Sequence, residues 1–94
     1  HCIYDIAALP EHVVAKMKIY PNPATDKLTL AVEGRNLKTG CIEIIDMAGI
    51  VVKLIPTDAL ADRQTIDVSH LTSGVYVVRY KDEDGIILRK FVKQ

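Results

Sequence analysis

Apolar and polar residues alternate along much of this chain, which is the pattern of strands with one buried face. Met17 and Ile19 fall on one face between polar neighbours. Leu28, Leu30 and Val32 then repeat the same two-residue period. The pattern therefore predicts two consecutive strands, the first of which begins near residue 16.

Two prolines lie between these strands, in the stretch Tyr20-Pro21-Asn22-Pro23. Each proline removes an amide donor and forces the residue before it into the extended region. A central strand cannot lose donors in this way, so the first strand has to leave the sheet at this point.

Further along the chain, the pattern predicts two hairpins and one more strand. Residues 41–47 and 50–55 flank a short acidic turn that ends in glycine, and residues 75–80 and 86–92 flank a similar turn. Residues 64–68 read as a separate strand. In the last strand, Leu88 and Phe91 are three positions apart, which needs either a bulge or two covered faces.

These elements predict an all-β fold, an antiparallel immunoglobulin-like β-sandwich of about seven strands with Greek-key connections. A chain of 94 residues has the length of one such domain. We assign residues 16–94 to the sandwich and residues 1–15 to an upstream linker or the end of a preceding domain. The sequence has no tryptophan and no central cysteine pair, so the prediction concerns the architecture of antibody domains and not their family.

Charge and hydropathy indicate whether the chain binds nucleic acid or crosses a membrane as a helix. Twelve basic residues balance twelve acidic ones, so no strong field attracts nucleic acid. The apolar runs are far shorter than the ~20 residues that a membrane-spanning helix needs. We therefore expect no nucleic-acid partner and no transmembrane helix.

The sequence does not show whether the two cysteines, Cys2 and Cys41, form a disulfide or remain free thiols. A disulfide needs the two Cα atoms to come within about 7 Å, which a sequence does not show. One pair in a chain with an adequate core is not a disulfide framework. We therefore favour two small buried thiols over a bridge.

The sequence contains no pattern typical of catalysis, metal binding or cofactor binding. Ser69 adjoins His70, but neighbours in extended chain point apart, so we favour a turn over a nucleophile and its base. The histidines lack zinc-ligand spacing, and the acidic turn at 82–85 lacks the ligand series of a calcium loop. The residues alone indicate a non-catalytic β-module without a cofactor, with a task in adhesion, ligand binding or signalling to other machinery.

Four segments in a fixed order carry a resemblance to a known family. They are YPNPATDKLTL from position 20, IEIIDMAGIVVKL from position 42, TIDVSHLTSGVYVVRY from position 65 and RKFVKQ from position 89. Together they resemble the C-terminal sorting domain of the type IX (Por) secretion system of Bacteroidetes bacteria. The resemblance covers residues 16–94.

The resemblance implies a sorting signal on a cargo protein that reaches the periplasm by an ordinary signal peptide. The outer-membrane translocon would recognise the domain. A cysteine-protease sortase of the attachment complex would then cleave it off and join the cargo to anionic lipopolysaccharide. The cargo would end at the cell surface or be secreted, and the cut would fall within residues 9–18 or upstream.

The resemblance also implies which residues the translocon recognises. They belong to the GxY element and to the basic final strand, and they are Gly74, Tyr76, Lys90, Phe91, Val92 and Lys93. The chain departs from the family pattern in carrying Gln94 after that lysine. A terminal edge strand also has unpaired amides and carbonyls, which a partner can read by strand addition.

Each of these residues has a structural explanation as well. Tyr76 is a candidate core aromatic, Gly74 a turn glycine, and terminal lysines protect a strand edge from aggregation. The rival function is an immunoglobulin-like adhesion or carbohydrate-binding accessory module, although one Phe, four Tyr and no Trp offer few side chains for stacking on sugars. Exposed edges also permit strand-mediated self-association, which is compatible with sorting.

Overall fold

The computed structural model describes residues 16–33, 37–57, 62–83 and 85–94, and this part of the chain forms seven strands without a helix. The strands are β1 (Met17–Tyr20), β2 (Lys27–Val32), β3 (Gly40–Asp46), β4 (Val51–Thr57), β5 (Gln64–Asp67), β6 (Gly74–Asp82) and β7 (Gly85–Lys93). The segment 1–15, which the sequence assigns to a linker or a preceding domain, lies outside the described residues.

The strands form two antiparallel sheets that pack face to face. One sheet has the order β1-β2-β5, and the other has the order β4-β3-β6-β7. The chain crosses between the sheets after β2, after β4 and again after β5, as in a Greek-key sandwich. This arrangement confirms the predicted all-β sandwich of seven strands.

The core lies between the sheets and contains the residues that the two-residue period selects. In β2, for example, Leu28, Leu30 and Val32 are buried as predicted. The other core residues are Met17, Ala24, Leu37, Ile42, Ile44, Ile66, Val68, Leu71, Tyr76, Val78, Tyr80, Ile87 and Phe91. Burying a side chain the size of leucine contributes about 1.5–3 kcal/mol, so this layer is the main attraction between the sheets.

The structure shows how β7 accommodates Leu88 and Phe91, which are three positions apart. β6 and β7 pair along their whole length without a register shift, so the pair has no bulge. Phe91 is fully buried, whereas Leu88 is 53% exposed on the outer face. Neither a bulge nor a second covered face is needed, because a strand tolerates single apolar residues on its solvent side. The register shift in this sheet lies instead in the β3–β4 pair, between Ile44 and Ile45.

The β3–β4 connection is the tight hairpin that the sequence predicts. Asp46 Oδ1 accepts hydrogen bonds from Ala48 N at 2.9 Å and Ile50 N at 3.0 Å. Gly49 has a φ of +85°, a conformation that glycine adopts at little cost. The carboxylate and the glycine together fix the turn.

Cys41 differs from the expectation of two buried free thiols. Its neighbour Ile42 and the facing Tyr80 are core residues, so Cys41 lies on the outer face of the four-stranded sheet. It is nonetheless fully buried, and it is disulfide-bonded. The expectation was wrong because the strand register directs this sulfur away from the core, to a face where another segment can reach it. Cys2 lies outside the described residues.

The same outer face carries a buried cluster of charges. Glu43 Oε1 accepts hydrogen bonds from Arg79 Nε and Lys81 Nζ, each at 2.9 Å. Burial by itself raises the pKa of Glu43, but the hydrogen bonds and positive charges of Arg79 and Lys81 outweigh it and lower the pKa below the usual 4.5. The charged carboxylate therefore links the two central strands, β3 and β6.

We expect Glu43→Gln to destabilise the domain by about 1–3 kcal/mol at neutral pH, because it leaves the buried Lys81 and the partly buried Arg79 without their counter-charge. A carboxylate with a lowered folded-state pKa contributes stability that is present above its unfolded pKa and is lost as the pH falls through the folded value. The difference between variant and wild type in urea unfolding should therefore shrink below pH 4.5.

Glu33→Gln is the matched control, because Glu33 is exposed at the end of β2. Its unfolding midpoint should follow that of the wild type at every pH. If Glu43→Gln lost stability in acid as steeply as the wild type, the role of the charged cluster would be contradicted.

Candidate functional site

The residues implied in recognition lie together at one end of the β6–β7 hairpin. The antiparallel register places Gly74 opposite Lys93 and Tyr76 opposite Phe91. Val92 lies between these two pairs on β7. The fold therefore brings the GxY element and the basic final strand side by side.

The loop after β1 packs along the end of the same strand. Asn22 Oδ1 accepts a hydrogen bond from Val92 N at 3.0 Å, across 70 positions of sequence. Ala24 N donates to Val92 O at 2.8 Å, and Gln94 N donates to Ala24 O at 2.9 Å, which makes a short parallel bridge. We name this region the terminal corner and define it as residues 22–24, 74–76 and 90–94.

The prolines explain how the loop comes to this position. β1 ends at Tyr20, as predicted, and Pro21 and Pro23 both follow cis peptide bonds. Because proline has no amide hydrogen, this stretch cannot continue as a regular strand of the first sheet. Ala24 is fully buried, and its small side chain lets the loop approach β7 closely.

These contacts change what the terminal edge can offer to a partner. The amide and carbonyl of Val92 and the amide of Gln94 point away from β6, and the loop already occupies them. Residues two apart in a strand face the same way, so the edge continues through Lys90. Within the described residues, the peptide groups of Lys90 have no partner on that side. The expectation of an unpaired terminal edge therefore does not hold at Val92 and Gln94, because the 22–24 loop pairs with them.

Tyr76 and Phe91 belong to the hydrophobic core. Tyr76 and Phe91 stack with their ring centroids 5.6 Å apart, and they are 5% and 0% exposed. The Tyr76 hydroxyl donates to Thr72 O, four residues upstream, at 2.7 Å. This is the tyrosine corner of immunoglobulin-like sandwiches. The structural explanation of Tyr76 as a core aromatic is confirmed.

Gly74 and Lys93 face each other in the hairpin, and each has a structural role there. Gly74 has a φ of +156°, which side chains other than hydrogen rarely allow, although a Cβ there would meet no atom within 4 Å. The backbone, and not a lack of space, therefore favours glycine. Lys93 is largely buried, and its Nζ donates to Gln94 O at 2.8 Å.

Lys90 and Val92 form the accessible part of the set. Both are exposed on the outer face of β7. Val75 lies directly opposite Val92 and is also exposed, so it extends the same surface. The recognition residues predicted from the sequence do not include Val75 or Asn22. The alternation in β6 could have indicated Val75, whereas no local signal indicates that Asn22 contacts β7.

Within the described ranges, no three His, Cys, Asp or Glu side chains are grouped to hold a metal ion. The Ser69 hydroxyl donates to Asp67 Oδ1 at 2.7 Å, and with the Ser69 amide it lowers the pKa of Asp67 to about 2. These bonds form the predicted turn after β5. The ranges also contain no helix long and apolar enough to cross a membrane.

Comparison with known proteins identifies the family. Curated proteins give no significant match to this chain. A family model described as the secretion system C-terminal sorting domain matches residues 18–94. The match includes the whole terminal corner. The chain therefore belongs to the family of type IX secretion C-terminal sorting domains.

Proposed function

We propose that this domain directs a cargo protein through the outer-membrane type IX translocon and on to attachment at the cell surface. Family membership gives the coarser function, a C-terminal sorting signal of type IX secretion whose cargo is displayed or secreted. The observation that carries the finer proposal is the hydrogen bonding between two of the family-like segments, YPNPATDKLTL and RKFVKQ. A signal assembled from both segments exists only in the folded domain, so the machinery reads it as a folded surface.

Exposure divides the terminal corner into two roles. Lys90, Val92 and Val75 face solvent and supply the surface that the translocon contacts. Tyr76 and Phe91 pack beneath them and hold the hairpin in position. The recognised surface is one cation beside two valines, which is complementary to an apolar patch bordered by carboxylates.

Backbone pairing can extend this recognition over a short stretch of β7. The 22–24 loop occupies the outward groups of Val92 and the amide of Gln94. The edge at Lys90 lacks such a neighbour within the described residues. A partner strand would therefore pair upstream of the loop, next to the exposed Lys90 side chain.

We also propose the processing steps that the family resemblance implies. After passage through the periplasm, a cysteine-protease sortase of the attachment complex separates the domain from its cargo and joins the cargo to anionic lipopolysaccharide. The disulfide at Cys41 supports passage through an oxidising compartment, because such bonds persist there and are rare in the cytosol. In this scheme the domain is a non-catalytic sorting signal.

The rival function, adhesion or carbohydrate binding, has weaker support. Sugar sites need exposed aromatic side chains on which the sugar ring can stack. Within the described ranges, Tyr20 is the one aromatic residue with substantial exposure. No built aromatic platform accompanies it there, so sorting is the better-supported proposal.

Replacing the outward pair, by Lys90→Gln together with Val92→Thr, should reduce surface display of a fused cargo several-fold and leave thermal stability nearly unchanged. Exposed substitutions usually change the free energy of unfolding by about 0.5 kcal/mol or less, and threonine suits a strand. Display is measured by antibody labelling of intact cells that have a type IX system. Stability is measured by thermal unfolding of the purified protein.

The matched control is Lys18→Gln, an exposed lysine on the outer face of the other sheet, which should be displayed like the wild type. Normal display of a stable Lys90→Gln/Val92→Thr protein would remove this pair from recognition. A joint loss of display and stability would show instead that the pair is structural.

Asn22→Ala tests whether the corner is read as a folded unit. The change removes the side-chain acceptor of the Val92 amide at a cost of about 1 kcal/mol, so hydrogen exchange at that amide should accelerate about fivefold. Cargo display should fall in parallel. Asn22→Asp keeps an acceptor oxygen and should restore both quantities. Unchanged exchange at Val92 would contradict the structural role of Asn22, and unchanged display with faster exchange would contradict the folded-unit proposal.

A further inference from the structure

Two cations occupy core-facing positions in the edge strands of the four-stranded sheet. Lys53 in β4 lies opposite Ile44, and Arg89 in β7 lies opposite Val78. Ile44 and Val78 both belong to the core, so the two cations share the inward face of the sheet. Each cation is half-buried, and its polar end reaches the three-stranded sheet across the side of the sandwich.

Each of these cations donates a hydrogen bond to a backbone carbonyl of the other sheet. Arg89 Nε donates to Met17 O in β1 at 3.1 Å, and we name this contact the β1 clamp. Lys53 Nζ donates to Asp67 O in β5 at 2.7 Å, and we name this contact the β5 clamp. Since β1 and β5 are the two outer strands of the three-stranded sheet, the clamps join the sheets at both sides of the sandwich.

The β1 clamp acts at the start of β1. Successive carbonyls in a strand point to opposite sides, and Lys16 O accepts a hydrogen bond at 2.7 Å from Glu33 N, just past the end of β2. The Met17 carbonyl therefore points away from β2, to the side where β1 has no neighbouring strand in the part of the chain that the structure describes. Arg89 supplies the hydrogen bond that joins this side of β1 to β7.

We infer that the β1 clamp sets a downstream limit on the proteolytic processing of the domain, an inference that rests on the proposed sorting function. A protease acts on chain that is extended and accessible, so a cut inside β1 requires this strand to separate first from β2 and β7. The rate of such a cut falls with the population of the opened form. In the folded domain, residues 16–18 of the expected range 9–18 are thus protected, and the cut falls upstream of Lys16.

This role also accounts for a residue of the RKFVKQ segment that the terminal corner does not include. Arg89 begins that segment, but it faces inward, whereas Lys90 and Val92 are exposed on the outer face. Arg89 Nη1 also donates to Leu88 O at 2.7 Å, which orients the guanidinium group. The same strand therefore presents the proposed recognition surface and holds the strand on the cargo side of the domain.

Hydrogen exchange of the purified chain tests the β1 clamp. Arg89→Met keeps an apolar side chain of similar length and removes the donor. The Glu33 amide, which bonds to Lys16 O, should then exchange about tenfold faster, because a hydrogen bond from a charged group is lost at the start of β1. Arg89→Lys keeps a cationic donor and should return the exchange rate toward that of the wild type. An unchanged Glu33 amide in Arg89→Met would overturn the clamp.

Lys53→Met is the matched control, because it removes the corresponding donor at the other side of the sandwich. It should accelerate exchange of the Val68 amide, which follows β5 and donates to Asp26 O at 2.8 Å. The Glu33 amide should keep its wild-type rate in this variant. Equal acceleration of both amides by Lys53→Met and by Arg89→Met would show a general loss of stability and would overturn the two separate clamps.

Limited proteolysis tests the limit on processing. The native chain is digested with a lysine-specific protease, and mass spectrometry follows the cut after Lys18, whose two products together weigh one water more than the chain. This cut should be at least about tenfold slower than in a synthetic peptide of residues 13–24. Arg89→Met should accelerate it about tenfold, and Lys53→Met should leave it unchanged. Cleavage of the native wild type at the rate of the peptide would overturn the protection.

The position of the cut in a processed cargo gives an independent measurement. The C-terminal residue of the mature surface protein, determined by mass spectrometry, should lie upstream of residue 16, and a C-terminus within residues 16–20 would overturn the limit.

The exchange and digestion experiments do not use the secretion machinery. Normal display of the stable Lys90→Gln/Val92→Thr protein would contradict the proposed recognition surface and leave both results unaffected. Conversely, an unchanged Glu33 amide in Arg89→Met would remove the clamp and leave the terminal corner and its role in sorting as they are. The two proposals can therefore fail separately.

Discussion

The outward peptide groups of the terminal strand impose the main constraint on this domain. A strand at a sheet edge with free amides and carbonyls pairs readily with other chains. Here the loop at residues 22–24 satisfies the groups of Val92 and the amide of Gln94. This closes the sandwich at one end, because the loop emerges from one sheet and bonds to the edge of the other. The final strand is therefore held by β6 on one side and by the loop on the other.

The two faces of β7 have different roles in the terminal corner. Phe91 faces inward onto Tyr76, which in turn donates to the Thr72 carbonyl. Val92 and Lys90 face outward from the neighbouring positions. A short strand can thus complete a hydrophobic core and present a surface in the same few residues. For this reason, a substitution in this strand is informative about sorting when stability is measured beside it.

The outer face of the four-stranded sheet is not a simple solvated surface. Glu43 lies between Arg79 and Lys81, and its hydrogen bonds to both compensate for the cost of burying the carboxylate. Cys41 lies beside this cluster on the same strand and carries the disulfide. Both features lie on β3. This interior strand is therefore held by contacts on its outer face as well as by packing on its core face.

The sequence by itself determined the elements of this fold. The two-residue period placed Leu28 and Leu30 in the core, Gly49 indicated a tight turn, and Pro21 required the first strand to end. These features follow from local properties, namely side-chain alternation, positive φ and a missing amide donor. The candidate recognition residues were also brought to one place as a hairpin predicts, because antiparallel register over a short turn is itself a local property.

The tertiary structure alone decided which distant segments meet. Alternation assigns residues to two faces, but it does not say what covers each face, so the exposure of Leu88 and the disulfide at Cys41 had to come from the packing. The bond from Asn22 to Val92 spans 70 positions, and it depends on how the two sheets are stacked. A local pattern encodes the direction of a side chain, whereas the partner it finds depends on the assembled chain.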